Sequence, residues 1–441
     1  MADIQHLFTR WLGRLVDIRP QEGWALFWSF SYFFSLLCSY YIVRPLRDEM
    51  GVAGGVENLQ WLFTGTFIVM LAVVPVFGWV TSSYRRSQFL PAVYIFFILN
   101  LLGFYSLFHS DISHVYLARA FFIWASVYNL FVVSIFWSFM ADLYSDAQAK
   151  RLFGFIAAGG TAGAIVGPLL TTALALPLGP TNLLIVSAAF LGWAVLAIQR
   201  LIRWNATTLK KQLARQKDES EDAKNQPLGG GVMAGVQLVF QSPYLRGIAI
   251  LMVLYTTLST FLYFQQAQII RDSFSDSAQR TTVFAAIDLG VNGLTIVIQL
   301  FLTNRLIKAL GLAWTLALVP LILCVGFLAL SFMPVLAVLV LIQVIRRAGN
   351  YAVMRPAREI LYVVLDRESK YKAKNFNDTV VYRGGDAVSA WVYAGLRSLG
   401  LGLSHMALIA VPLAAIWAAL AYRLGRQQTV LAEQSDLMNT E

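Results

Sequence analysis

Histidine and cysteine are scarce in this sequence, with four of one and two of the other in 441 residues. The histidines (His6, His109, His114, His405) lie at the edges of apolar runs, and Cys38 and Cys324 each sit alone inside one. No pair has metal-ligand spacing, and no His, Cys and Ser cluster supports nucleophilic chemistry. A lone buried thiol is usually inert packing. No Walker lysine follows a glycine-rich loop, which excludes nucleotide hydrolysis as the expected energy source. The expectation is a non-enzyme with no metal and no cofactor. Charge is scarce too, at 13% of residues, while 58% are hydrophobic and mean hydropathy is +0.63. A soluble domain cannot hide that much apolar surface.

Long apolar runs are what is present. A helix needs about 20 apolar residues to cross a bilayer, and twelve stretches of that size occur. They lie near 24–43, 60–81, 89–108, 115–140, 153–175, 182–203, 245–268, 281–303, 311–331, 336–365, 376–398 and 403–423. Alternating ten-residue strands of a closed barrel would not give such runs. The expected fold class is an all-α membrane protein with twelve transmembrane helices.

The net charge of +10 suggests nucleic acid until the charges are placed. With both termini cytoplasmic, the inner segments hold 22 of the 34 Lys and Arg, against five in the outer segments (Arg44, Arg47, Arg271, Arg280 and Arg397). This asymmetry follows the positive-inside rule, so the basicity is topological and the expected partner is the lipid bilayer, not nucleic acid. Residues 5–19 set Leu7, Phe8, Trp11, Leu12 and Leu15 on one helical face and Arg10 and Arg14 on another. That pattern predicts an interfacial helix on the cytoplasmic leaflet, within residues 1–23.

One long polar stretch, LKKQLARQKDESEDAKNQPLGGG at 209–231, divides the spans six and six. The expected organisation is a six-helix bundle at 24–203, a cytoplasmic linker at 204–244, a second bundle at 245–425 and a cytoplasmic tail at 426–441. A shift of 224 residues lays Arg47-Asp48 on Arg271-Asp272, Asp142 on Asp366 and Ala149-Lys150 on Ala373-Lys374. Two repeats of six spans with a central substrate is a transporter architecture.

The same shift places span ten at about 339–364, putting Gln343, Arg346, Arg347, Asn350, Arg355, Arg358 and Glu359 at membrane depth. Gln343, Arg347, Asn350, Met354 and Arg358 recur at helical spacing on one face. A charge at the bilayer centre costs at least about 2.5–3.5 kcal/mol, so this stripe is expected to line a wet cavity or pair internally. Arg355 with Glu359, one turn apart, is a candidate pair.

At the end of span one, YYIVRPLRDEMG puts Arg44 and Arg47 around Pro45, which is expected to break the helix there. Arg271 is the repeat partner, and Arg119 adds a guanidinium on span four. Such groups suit bidentate contact with phosphate or carboxylate. Tyr40 and Tyr41 adjoin them and could stack on a planar ligand. Snorkelling at the outer interface is the alternative reading of Arg44 and Arg47. Asp288 on span eight and Asp386 on span eleven are intramembrane carboxylates, either proton carriers or partners of Arg383 or another cavity arginine. Gly159, Gly163 and Gly167, four apart on span five, are expected to serve close helix packing.

SYYIVRPLRDEMGV, FWSFMADLYSDAQAKRLFGFIAAGGTAGAIVG and NYAVMRPAREILYVVLDRESKYKAKNFNDTVVYRGGD resemble the ATP/ADP translocases, nucleotide transporters related to the major facilitator superfamily. The resemblance covers most of both halves and implies two pseudo-symmetric six-helix bundles and exchange of phosphorylated nucleotides. It also implies that Arg44 and Arg47, matching the family's basic residues at the end of span one, contact nucleotide phosphates. GAIVGP at 163–168 resembles the start of an antiporter motif. Two positions depart from the family pattern. Residues 115–140 hold no Asp or Glu, where members exchanging ATP for ADP carry an acid, and Arg44 stands where a lysine is expected.

The expected function is secondary active transport of a small organic, phosphorylated anion by alternating access, with exchange one option. The substrate-binding candidates are Tyr40, Tyr41, Arg44, Arg47, Arg119, Arg271, Arg347, Asn350 and Arg358. The coupling or ion-pair candidates are Asp288, Glu359, Arg383 and Asp386. Proton-coupled transport of another anionic or lipid-like solute, and a non-transporting receptor or scaffold, are the alternatives. A monomer in a bacterial inner membrane is expected.

Overall fold

The computed structural model describes residues 22–83, 86–110, 113–213, 238–365, 372–374 and 376–438. The expected interfacial helix at 5–19, the linker residues 214–237 and Asp366 of the repeat lie outside the described residues. Thirteen α-helices occur among the described residues. They are α1 (Gly23–Ala53), α2 (Leu59–Ser83), α3 (Arg86–Phe108), α4 (His114–Leu143), α5 (Asp146–Leu178), α6 (Leu183–Leu213), α7 (Pro243–Ser273), α8 (Ser277–Phe301), α9 (Thr303–Phe332), α10 (Leu336–Gly349), α11 (Arg355–Leu361), α12 (Tyr382–Ser398) and α13 (Leu403–Met438).

Eleven membrane-length apolar helices occur among the described residues, one of them combining α10 and α11 into Leu336–Leu361. The expected span at 376–398 is a π turn, Asn377–Val381, followed directly by the 17-residue α12. α6 continues to Leu213 and α13 to Met438, so both run as helix past the apolar windows that predicted them.

The chain divides into two compact units. Unit 1 comprises Met1–Gly54, Ile68–Ala223 and Asp276–Leu289; unit 2 comprises Gly55–Phe67, Lys224–Ser275 and Gly290–Glu441. Inside unit 1, α1 packs on α4, α5 and α6, and α3 on α6. Inside unit 2, α7 packs on α10, α12 and α13, and α9 on α13. The two packing schemes are the same once spans one to six are matched with seven to twelve. The 224-residue shift holds at one helix end, where α3 stops at Phe108 and α9 at Phe332, and is four residues off between α1 and α7 and six between α2 and α8.

The glycine ladder of α5 is a packing device, as its spacing predicts. A Cβ on Gly159 would lie 2.6 Å from the Phe30 carbonyl oxygen, one on Gly167 would lie 2.9 Å from that of Cys38, and one on Gly163 would enter the Phe34 carbonyl. Without side chains there, α5 meets the backbone of α1 directly.

One expectation about the helices fails. α1 does not break at Pro45 but continues eight residues beyond it to Ala53, a helix of 31 residues and about 46 Å. Proline removes its own donor and crowds the carbonyl of Tyr41, and the buried Val43, Leu46 and Val52 hold the surrounding turns in place against that cost. YYIVRPLRDEMG is therefore helix interior, with its charged side chains presented at helical spacing.

Candidate binding site: arginine clusters in the two units

Unit 1 assembles its cluster where the last turns of α1 run antiparallel to the first turns of α8. Arg280 donates from Nε and Nη2 to the two carboxylate oxygens of Glu49, at 2.8 and 2.7 Å. Glu49 is fully buried. Two turns further along α8, Asp288 Oδ2 stands 3.4 Å from Arg44 Nε. Arg47 donates to Asp48 Oδ1 at 2.6 Å, and its guanidinium lies 5.2 Å from the centre of the Phe122 ring. Tyr40 and Tyr41 meet edge to face, and Arg44 lies over the Tyr41 ring. Arg119 donates 2.9 Å to the Gly54 carbonyl just past the end of α1, where it satisfies one of the helix's terminal acceptors. Beneath the charges, α1 is fixed by buried hydroxyls: Ser39 bonds both Tyr128 and Ser187, and Tyr32 donates to Tyr94.

In unit 2, Arg271 repeats the local geometry of Arg47, donating to the adjacent Asp272 at 3.0 Å. It also bonds Glu57, in the turn before α2. The stripe that helical spacing predicts on span ten is buried along its length: Gln343, Arg347, Asn350, Met354 and Arg358 are each at most 8% exposed. A π turn at Asn350–Met354 interrupts the α-helix in its middle. Asn350 donates to the Tyr255 hydroxyl at 3.0 Å, and Arg358 to Asp378 at 3.3 Å. The expected Arg355 to Glu359 pair does not form. Arg355 is exposed and Lys374 takes Glu359 instead, at 2.5 Å, since a flexible lysine opposite the carboxylate reaches it more directly than a neighbour one turn away. Asp386 faces Arg383 at 3.9 Å and accepts from Thr260 at 3.4 Å.

One residue escaped the pattern. Arg346 lies beside the stripe, not on it, yet is only 6% exposed. Its Nε and Nη2 both donate to Gln343 Oε1, at 3.2 and 2.9 Å, and its Nη1 donates to Ser259 Oγ. The Gln343 amide donates in turn to Gln266 Oε1. The available signal was a second arginine next to Arg347 in an apolar run.

Two repeats of membrane-length helices, each burying charged side chains in its interior, define a polytopic membrane protein. Residues 14–357 match the family model of the Major Facilitator Superfamily. The chain belongs to that superfamily, whose members are secondary transporters working by alternating access. No curated protein sequence matches it significantly. Among solved structures it is similar to a bacterial homologue of the iron transporter ferroportin in an inward-facing state, at 13% identity and TM-score 0.62 over 92% of this chain and 98% of that one. It is also similar to a bacterial homologue of the human lysosomal transporter Spinster, at 13% identity and TM-score 0.58, covering 94% and 99%. The POT family transporter PepTSo matches at 12% identity and TM-score 0.59, covering 94% and 98%. At these identities the likeness is one of fold.

Proposed function

We propose that this transporter carries a small organic, phosphorylated anion of nucleotide type across a bacterial inner membrane, by exchange, with both termini cytoplasmic. The observation that carries the reading is the concentration of guanidinium groups within membrane-spanning helices: Arg44 and Arg47 in unit 1, and Arg346, Arg347 and Arg358 in unit 2. Arginines are expensive at that depth and suit the fork geometry of phosphate. The motif resemblance to ATP/ADP translocases supports a nucleotide as cargo. The test is uptake into proteoliposomes from a panel of nucleotides, sugar phosphates and lysophospholipids, with and without counter-substrate inside. Saturable nucleotide uptake that requires internal nucleotide is expected, and absence of uptake for every anion would overturn the proposal.

A second reading rests on Asp288, 1% exposed and facing Arg44. In that reading the anion and Asp288 compete for Arg44, and the intramembrane carboxylate is the coupling group. Proton-coupled uptake would then run on a pH gradient without internal substrate, and Asp288→Asn would remove the dependence on the gradient.

A further inference from the structure

Arg346 differs from the half-buried Arg44, Arg47 and Arg280 and from the buried Arg358 in what neutralises it. Arg44, Arg47, Arg280 and Arg358 each have a carboxylate within 4.0 Å. Among the described residues Arg346 is held by neutral groups, the Gln343 amide oxygen and the Ser259 hydroxyl. Gln266 fixes the orientation of the Gln343 amide, so a relay of two amide dipoles points its negative end at the guanidinium. Dipoles of this kind make a buried charge tolerable, but they leave its net charge in place. Arg347 is the next residue, also buried. Three of the five guanidinium N–H donors are used; one remains on each terminal nitrogen, the pair that receives an oxyanion in bidentate fashion.

We infer that Arg346, held by Gln343 and Ser259, is the anion-binding residue of unit 2 and receives one oxyanion group, phosphoryl or carboxylate, of the transported solute. This rests on the proposed anion transport and adds a specific subsite to it. An empty site of this kind is neutral dipoles around a cation; a loaded one is a completed ion pair.

The experiment measures equilibrium binding of ADP, inorganic phosphate, citrate and uncharged adenosine to purified, monodisperse protein. The wild type is expected to bind one or more of the anions and to bind adenosine more weakly. ADP or phosphate as the best ligand assigns a phosphoryl group, and citrate assigns a carboxylate. Arg346→Gln keeps the size and donors but not the charge, and should weaken the anion about ten- to a hundredfold, or about 1.4–2.8 kcal/mol. Arg346→Lys should fall between the two. Affinity within twofold of wild type in Arg346→Gln would overturn the inference while leaving anion transport standing. Binding of no anion by the wild type would overturn both. Should Arg346→Gln not be monodisperse, Ser259→Cys with Cys38 and Cys324 replaced by alanine decides the matter. Saturating anion should slow its alkylation at least tenfold, and unchanged labelling would count against the site.

Discussion

Glu49 and Arg280 offer the sharpest test of what holds α1 against α8 inside unit 1. Glu49 is fully buried and accepts at both oxygens from one guanidinium, whose side chain is 13% exposed. Removing one partner of a buried pair costs about 3–5 kcal/mol, because the other charge is left without compensation. Water still reaches part of Arg280, which favours the lower end, about 3 kcal/mol. In Glu49→Gln the amide oxygen keeps one acceptor, and a bond of that kind returns about 1 kcal/mol. The net expected loss is about 2 kcal/mol. Arg280→Gln alone should cost more, since it strands a fully buried carboxylate. The double variant, facing amide with amide, should lose much less than the sum. We expect a coupling energy of at least about 1.5 kcal/mol from a double-mutant cycle, measured by reversible unfolding in mixed micelles with increasing sodium dodecyl sulfate. Additivity within about 0.5 kcal/mol would show that the pair is geometrically close but energetically idle.

Arg47→Ala should weaken anion binding about ten- to a hundredfold, the loss of a charge-assisted contact of about 1.5–3 kcal/mol; Arg47→Lys should weaken it less, and unchanged affinity in both would place the anion elsewhere. In α5, Gly163→Val drives side-chain atoms into the Phe34 carbonyl and should abolish monodisperse expression. Gly154→Ala meets nothing within 4 Å and should behave as wild type, so equal yields would refute the close-packing account. A cysteine at Ser220 should resist a membrane-impermeant reagent in intact cells and label once the membrane is opened; labelling from outside would reverse the orientation.

Much of this protein was legible without coordinates. Hydropathy is a property of consecutive residues, so twelve spans could be read, and their charges placed, from local composition alone. The small-residue spacing of Gly159, Gly163 and Gly167 likewise states a close approach, because glycine leaves no side chain between two helix backbones. The burial of the stripe from Gln343 to Arg358 follows from what a charge costs in lipid. Partnership is another matter. Arg280 and Glu49 stand 231 positions apart, and nothing in either neighbourhood announces the other. A sequence also does not say that Pro45 leaves α1 intact, since side chains from other helices hold those turns. Nor does it tell Arg346 from Arg347. Only the packing of α7 beside α10 decides that amides and a hydroxyl meet Arg346 where a carboxylate could have stood, because electrostatic compensation depends on distance through space and the chain sets only distance along itself.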